Sequence, residues 1–262
     1  MKLHTVIPAK AGIHEHRRWK FGMVRVHGSR IKPGLTALAS AALLITAPAH
    51  AQLPVDPNVS AAGIALSSPW RAAVYAYARG KLLHPAWGWR HCERDFLLAR
   101  QIAREESLSI DEDVLFAAAF LHDNGAVPPF AKDGVDHSVR SAELAEPLLR
   151  KAGFPMAKYP AVKAAILGHM FDKEAGDRAE AKVLHDADSL DFLGATGIAR
   201  RLSVTGSAAD MDAVMARLQS VYEDIPGRLV TNAAKRMAIP RLVAMKAFFD
   251  QLKRETPGRA RL

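Results

Sequence analysis

The chain has 262 residues, of which 49% are hydrophobic and 24% are charged, with 17 Gly, 15 Pro and one cysteine. This composition is typical of one globular domain and excludes collagen-like, disordered and disulfide-stapled proteins. The formal charge of +9 is concentrated in residues 1–51, which hold eight Lys or Arg and one acidic residue. Residues 52–262 hold 28 basic and 26 acidic residues, a net charge of +2, so the charge predicts no nucleic-acid partner.

Residues 1–51 have the order of a leader with a secretory signal peptide, with Met23 as the expected start. A basic stretch precedes an uncharged run of 13 residues over 35–47, and small residues lead to Ala51. A run of this length is shorter than the roughly 20 residues that span a bilayer, so we expect no stable membrane span after cleavage. Cleavage after Ala51 would place the protein in the periplasm or outside the cell. A buried helix or an uncleaved anchor is the alternative, and a leader without function would leave the protein cytoplasmic.

Helical periodicity dominates residues 52–262, and no convincing alternating strand occurs, so we predict an all-α fold. An irregular segment over 52–69 ends in Ser68 and Pro69, which predict the cap and first position of a helix. Ser109 and Glu112 match the capping-box pattern ahead of a central, buried helix. The predicted helices cover residues 70–83, 88–106, 114–121, 138–152, 160–170, 179–193, 210–225 and 232–253.

The sharpest chemical feature is the adjacent pair His122 and Asp123, where an apolar helix ends before Gly125. Both side chains can reach one ion beyond a helix end, and a nitrogen and oxygen donor set suits Mn, Fe, Co, Ni, Zn and, less well, Mg. A hydrogen-bonded pair at the helix end is the alternative. His91, with Arg94 one turn later, offers a further candidate ligand beside a cation.

A second group of candidates lies in residues 185–194, where Asp188 and Asp191 are three residues apart and share a helix face. A carboxylate that faces inward must be paired or must bind a metal, because burial of an isolated charge is prohibitive. An acidic cap paired with Arg200 or Arg201 is the alternative interpretation.

In chain order the candidates form the pattern H…HD…D, from His91 through His122 and Asp123 to Asp188. The surrounding segments are DEDVLFAAAFLHDNG, DHSVRSAELAEPLLRKAGFP, AVKAAILGHM and EAKVLHDADSLDFLGATGIAR. Pattern and segments together resemble the HD superfamily of metal-dependent phosphohydrolases, and within it the small bacterial YedJ/YpgQ-type group. The resemblance covers roughly residues 70–205 and implies a helical HD domain there, completed by C-terminal helices over 206–262.

The resemblance implies one divalent ion held by four side chains: His91, His122, Asp123 and Asp188. Asp188 is preferred to Asp186 and Asp191 because it occupies the AD-x-x-D position that the family uses. Asp191 is expected to hold a ligand imidazole in place. His137 and His169 match positions that hold a second ion in binuclear relatives and contact the substrate phosphate in mononuclear ones.

The implied function is hydrolysis of a nucleotide or another small phosphoester by a metal-activated water. Besides its ligand role, Asp123 is expected to be catalytic. Arg94 and Lys132 are expected to bind the phosphate oxygens, since phosphoryl transfer depends on positioning and charge neutralisation. His137 or His169 would donate a proton or bind a second metal. The expected partner is a small, phosphorylated substrate.

The chain departs from the family motif HDIG, because Asn124 and Gly125 follow the His-Asp pair. Some nucleotidase members carry a glutamate three residues after the aspartate, whereas Ala126 and Val127 stand third and fourth here. This departure weakens an assignment as a 5′-nucleotidase.

Two other functions remain open. Residues 67–99 also resemble the opening of cyanamide-hydratase-type HD proteins, for which a small aromatic pocket is expected. The candidate aromatic residues are Trp70, Tyr75, Tyr77, Trp87, Trp89 and Phe130. A metal-stabilised binding or sensor domain is the other alternative. The apolar stripe on the last helix is expected to pack in the core, or else to form a homodimer face, and it consists of Leu242, Met245, Phe248 and Phe249.

Overall fold

A computed structural model describes residues 58–204 and 211–256. Within these ranges the chain is helical and has no β-strand, which confirms the predicted all-α fold. The α-helices are α1 (Pro69–Lys81), α2 (Trp89–Glu105), α3 (Glu112–Leu121), α4 (His137–Ala152), α5 (Tyr159–Leu167), α6 (Ala179–Asp191), α7 (Gly194–Ser203), α8 (Met211–Asp224) and α9 (Asn232–Glu255). The expected leader, its start and its cleavage site lie outside the described residues.

Helix α3 is the centre of the fold, as its uniformly apolar sequence predicted. Every side chain from residue 114 to residue 121 is buried. The helix packs against α2, α5 and α1, and contacts α6. His122 and Asp123 directly follow its last helical residue.

The predicted capping box of α3 is wrong. Asp111 stands directly before the first helical residue, and its carboxylate accepts hydrogen bonds from the backbone amides of Asp113 at 2.9 Å and Val114 at 3.3 Å. Ser109 lies too far upstream to cap this helix. Ser68 is the N-cap residue of α1 and Pro69 occupies the first helical position, as predicted, although the Ser68 side chain makes no capping hydrogen bond.

Helix α7 was missed by the sequence analysis. Its segment begins with Gly194 and contains Gly197, and glycine is a poor helix former. The helix packs against α9 and α8, so tertiary contacts supply the stability that its local sequence lacks. Its formation places Arg200 and Arg201 near the chemical groups described below.

Helix α9 confirms the expected core packing of its apolar stripe. Met245 is fully buried, and Leu242, Phe248 and Phe249 pack partly buried against the core. None of the helices in the described ranges has the length and apolar character needed to cross a bilayer.

Candidate metal centre

Three helices bring the four predicted ligands together in the interior. His91 lies in the first turn of α2, His122 and Asp123 directly follow α3, and Asp188 lies in α6. All four side chains are buried. The packing of α6 on α2 joins the two ends of the pattern, which are far apart in sequence.

The donor atoms of these residues converge on one small volume. His91 Nε2 lies 3.1 Å from His122 Nε2, 3.2 Å from Asp188 Oδ1 and 3.5 Å from Asp123 Oδ2. The same Asp123 oxygen is 3.5 Å from His122 Nε2. His91, His122 and Asp188 belong to a group of imidazole nitrogens and carboxylate oxygens that lie within 4.8 Å of one another, a spacing that fits a divalent metal ion.

Hydrogen bonds at the far side of each ring determine which nitrogen faces this volume. His122 Nδ1 donates to the backbone carbonyl of Ala119 at 2.9 Å, and His91 Nδ1 donates to Asp191 Oδ2 at 2.8 Å. Both partners can only accept, so the neutral rings carry their proton on Nδ1. Each Nε2 therefore presents a lone pair to the cluster, as a metal ligand requires.

Asp191 is located where the sequence analysis expected it, against a candidate ligand imidazole. Its carboxylate also binds the Arg94 guanidinium, from Nε at 2.9 Å and Nη2 at 2.7 Å, and lies 2.9 Å from Arg200 Nη1. Burial would raise the pKa of Asp191, but Arg94, His91 and Arg200 hold this pKa well below its usual range. The alternative of an acidic residue paired with Arg200 thus applies to Asp191.

The expected phosphate-binding role of Arg94 is corrected by these contacts. Its Nε and Nη2 donate together to the Asp191 carboxylate in a bidentate pair. Arg94 also borders a separate surface cavity, shared with Gln101 and Arg241. We therefore treat Arg94 as a residue that positions Asp191.

A second cluster adjoins the first through Asp123. Its Oδ2 faces His91 and His122, whereas its Oδ1 lies 3.6 Å from His137 Nε2 and 3.5 Å from His169 Nε2. The two latter nitrogens are 3.3 Å apart. His122, Asp123 and His169 together also have the spacing of a metal site. The structure thus brings both additional histidines to the second carboxylate oxygen of Asp123.

His185 and Asp186 precede Asp188 in sequence but take no part in the cluster. His185 lies with its ring nitrogens 3.0 Å from the carbonyl of Gly168 and 3.3 Å from that of Arg228. Asp186 accepts hydrogen bonds from Val230 and Thr231 at the start of α9. The placement of these two residues agrees with the preference for Asp188.

Gly125 allows α4 to approach the His-Asp pair. A Cβ atom at this position would lie 2.6 Å from the carbonyl oxygen of His137 and 2.7 Å from the amide nitrogen of Ser141. Its own amide donates to Ser141 Oγ at 2.8 Å. This close contact, which only glycine permits, brings the first turn of α4 and its His137 to the cluster.

A cavity of about 400 Å³ opens on the cluster at Asp123 and His137. This volume lies in the range of small-molecule sites. Its wall contains the apolar side chains of Trp87, Met170 and Phe192. It also contains three cationic side chains: Lys132, Arg201 and Arg217.

Comparison with known proteins finds a family model that matches the residues of the site. A family model described as "HD domain" matches residues 88–193, which run from the start of α2 to the end of α6 and include the whole H…HD…D pattern. Residues 88–193 of this chain are thus similar to the HD domain. The matched range contains every residue of both clusters.

A curated protein from Clostridium beijerinckii, itself described as uncharacterized, is 29% identical to this chain over 108 residues. The match covers 40% of this chain and 66% of the relative, so the chain spans just under two thirds of that relative's length. Among solved structures, Bacillus subtilis YpgQ in complex with ADP superposes with a TM-score of 0.55 at 24% identity, covering 72% of this chain and 98% of YpgQ. An HD-superfamily hydrolase from Bacillus thuringiensis has a TM-score of 0.51 at 20% identity, covering 71% and 95% of the two chains. The chain therefore shares the fold of these two structures.

Two features of the site were missed by the sequence analysis. Asp95 lies one turn after His91 on α2, with Oδ2 at 3.1 Å from His91 Nε2, and burial raises its pKa to about 7. The spacing of four residues on one helix was a signal that could have revealed it. The cavity cations Arg201 and Arg217 had no comparable signal, because α7 was not predicted and α8 lies outside the motif.

Proposed function

We propose that the protein is a metal-dependent phosphohydrolase that acts on a nucleotide or another small phosphoester. The observation that carries this proposal is the cavity of about 400 Å³ that joins the buried cluster to three cationic side chains. An anionic ester could place its phosphate beside Asp123 and its remaining negative charge near Lys132, Arg201 or Arg217. YpgQ, which shares the fold, was solved in complex with ADP, and this supports a ligand of the same class.

Different side chains of the site would bind the metal and the substrate in this reaction. His91, His122, Asp123 and Asp188 would hold a divalent ion, which supplies Lewis acidity and lowers the pKa of a water that it binds. His137 lines the cavity beside Asp123 and would bind a phosphate oxygen or donate a proton to the leaving group. The histidines and Asp123 are held in place by hydrogen bonds and by packing before any substrate arrives, which reduces the reorganisation that the reaction requires.

The hydratase alternative receives less support from the cavity. Of the aromatic side chains that favoured it, Trp87 lines the cavity, whereas Trp70 and Tyr75 are buried in the core. A neutral nitrile substrate would gain no charge–charge attraction from the nearby cationic side chains of Lys132 and Arg217. The binding-domain alternative is also less favoured, because Asp123 borders a cavity large enough for a substrate.

The test is a substrate screen on the purified protein with added Mn²⁺, Co²⁺, Ni²⁺ or Fe²⁺. Phosphate release from nucleotides and a generic phosphoester is measured beside urea formation from cyanamide. We expect metal-dependent phosphate release that disappears in Asp123→Ala. Urea without phosphate release would assign the protein to the hydratases, and stoichiometric metal without either activity would favour a binding domain.

A further inference from the structure

Asp95 is a buried carboxylate for which the described part of the chain provides no hydrogen-bonding partner. The residue is fully buried, and neither oxygen accepts a hydrogen bond from the described residues. An isolated charge in such a place costs far more free energy than the small net stability of a folded protein. A compensating group is therefore expected beside it.

Two imidazole nitrogens lie close to the Asp95 carboxylate. Its Oδ2 lies 3.1 Å from His91 Nε2 and 3.6 Å from His122 Nε2. Both rings place their Nδ1 proton elsewhere, on Asp191 and on the carbonyl of Ala119. When both rings are neutral, as metal ligands must be, Asp95 faces two lone pairs, and all three groups are electron-pair donors directed at the same small volume.

Arg200 is the cationic side chain that comes close to this volume. Its Nη2 lies 3.3 Å from His91 Nε2. Its shorter contacts, at 2.9 and 2.8 Å, are with Asp191 Oδ2 and the carbonyl of Ala86. The charge of Arg200 is therefore shared with another carboxylate, and it does not account for Asp95.

Protonation of Asp95 would remove its own negative charge but would leave the neighbouring groups without a positive partner. A neutral carboxyl group could donate one hydrogen bond to His91 Nε2. The Asp188 carboxylate would remain, with Oδ1 at 3.2 Å from that nitrogen and with no hydrogen-bond partner for Oδ2 among the described residues. The lone pair of His122 would also remain without a positive partner. A bound cation accounts for all of these groups together.

We propose that Asp95 is a fifth protein ligand of the divalent ion, in addition to His91, His122, Asp123 and Asp188. Candidate ligand atoms of Asp95, His91, His122 and Asp188 all lie within 4.8 Å of one another. The third carboxylate makes the donor set more anionic and richer in oxygen. Oxygen donors suit Mn²⁺ and Mg²⁺, whereas imidazole suits Zn²⁺ and Ni²⁺. Asp95 therefore increases the affinity for Mn²⁺ more than that for Zn²⁺, and this inference is independent of which reaction the protein catalyses.

The test is calorimetric titration of the metal-free, full-length protein with Mn²⁺ and separately with Zn²⁺. Loss of a residue that merely supports a ligand costs ~10–100-fold in metal affinity, so loss of a ligand should cost at least ~10-fold. We expect Asp95→Asn to weaken Mn²⁺ binding by at least this factor and Zn²⁺ binding by less. The visible spectrum of the Co²⁺-loaded protein provides a second readout, because the intensity of its bands rises as the number of ligands falls.

Glu93→Gln is the matched control, since Glu93 is a buried carboxylate on the same helix that accepts hydrogen bonds from the Tyr75 hydroxyl at 3.0 Å and the Ala62 amide at 3.2 Å. This variant should bind both metals as the wild type does. If Asp95→Asn does not fold, Asp95→Ser removes the same charge with less volume, and the same outcomes apply. Unchanged Mn²⁺ affinity together with an unchanged Co²⁺ spectrum would overturn the proposal. A failure to hydrolyse phosphoesters would leave these measurements unaffected and would count against the proposed function alone.

Discussion

His91 Nδ1 donates a hydrogen bond to Asp191 Oδ2 at 2.8 Å, although 100 residues separate the two in the chain. The bond fixes the tautomer in which His91 Nε2 faces the candidate metal centre. Because Arg94 and Arg200 bind the same carboxylate, Asp191 is held rigidly and in its charged form. Metal binding at His91 should therefore depend on a residue that does not contact the ion.

Replacement of Asp191 by Asn tests this dependence. We expect the affinity for Mn²⁺ to fall ~10–100-fold, because the amide cannot hold the imidazole in the same way. Thermal stability should fall as well, since the buried guanidinium of Arg200 loses its anionic partner. The measurements are calorimetric Mn²⁺ titration and thermal unfolding. Wild-type affinity in this variant would show that packing alone orients His91.

Asp186 and Asp188 are both buried carboxylates of helix α6. They should nevertheless respond differently to replacement by alanine. Asp188→Ala should abolish metal binding and leave the helical content of the far-ultraviolet circular dichroism spectrum unchanged. Asp186→Ala should retain the metal but lose about 1–3 kcal/mol of stability, because the amides of Val230 and Thr231 lose their acceptor. Full metal content in Asp188→Ala would refute its assignment as a ligand.

The cavity cations predict a selective effect on substrate binding. If the proposed function is correct, Arg217→Ala should raise KM for a phosphoester ~5-fold with little change in kcat, since an exposed charge contributes about 1 kcal/mol. The difference should shrink at high salt, where exposed charges are screened. Arg236→Ala is the control, because Arg236 is an exposed cation on α9 that faces Glu105. Steady-state kinetics at two ionic strengths provide the comparison, and equal effects of the two substitutions would contradict the prediction.

Asp136 caps α4 and should link its stability to pH. Its carboxylate accepts hydrogen bonds from Ser138 and Val139 and from Lys173, and these contacts hold its pKa well below the usual range. The stabilisation is therefore present above the unfolded-state pKa of about 3.9 and is lost as the pH falls below it. Asp136→Ala should cost about 1 kcal/mol at neutral pH.

Asp136→Asn separates the two contributions, because it keeps a capping oxygen and removes the charge. Its thermal stability should stay closer to that of the wild type at neutral pH and should vary less as the solution is acidified. Thermal unfolding measured from neutral to acidic pH gives the comparison. A wild-type pH profile in this variant would mean that Asp136 makes no contribution to the acid response.

The leader predicts a processed N-terminus. On expression with the natural leader, we expect the mature protein to begin at Gln52, because Ala49 and Ala51 are small enough for a signal peptidase. N-terminal sequencing of the periplasmic fraction checks this expectation. Ala51→Tyr, with a large side chain at the cleavage site, should block processing. An intact leader on cytoplasmic protein would show that the segment is not a functional signal peptide.

The helices could largely be predicted from the sequence, because hydrophobic periodicity marks the faces that must be buried. The prediction of 160–170 as one helix was too long, since α5 ends at Leu167 and Gly168 follows. The capping residue of α3 was also misassigned, because Ser109 and Asp111 compete within three residues and only the backbone start decides between them. The local hydrophobic pattern therefore predicts that a helix exists more reliably than it predicts the residue at which the helix begins.

The sequence by itself determined the all-α fold and the order H…HD…D, because the spacing of apolar residues and the side-chain chemistry are both local properties. Tertiary structure decided which charges meet: it placed Arg94 on Asp191 and Asp95 beside His91. It also brought Arg201 and Arg217 to the cavity through helices that carry no motif. Contacts between distant residues depend on how the helices pack, and long side chains such as arginine can reach several partners, so the spacing in the sequence does not choose among them.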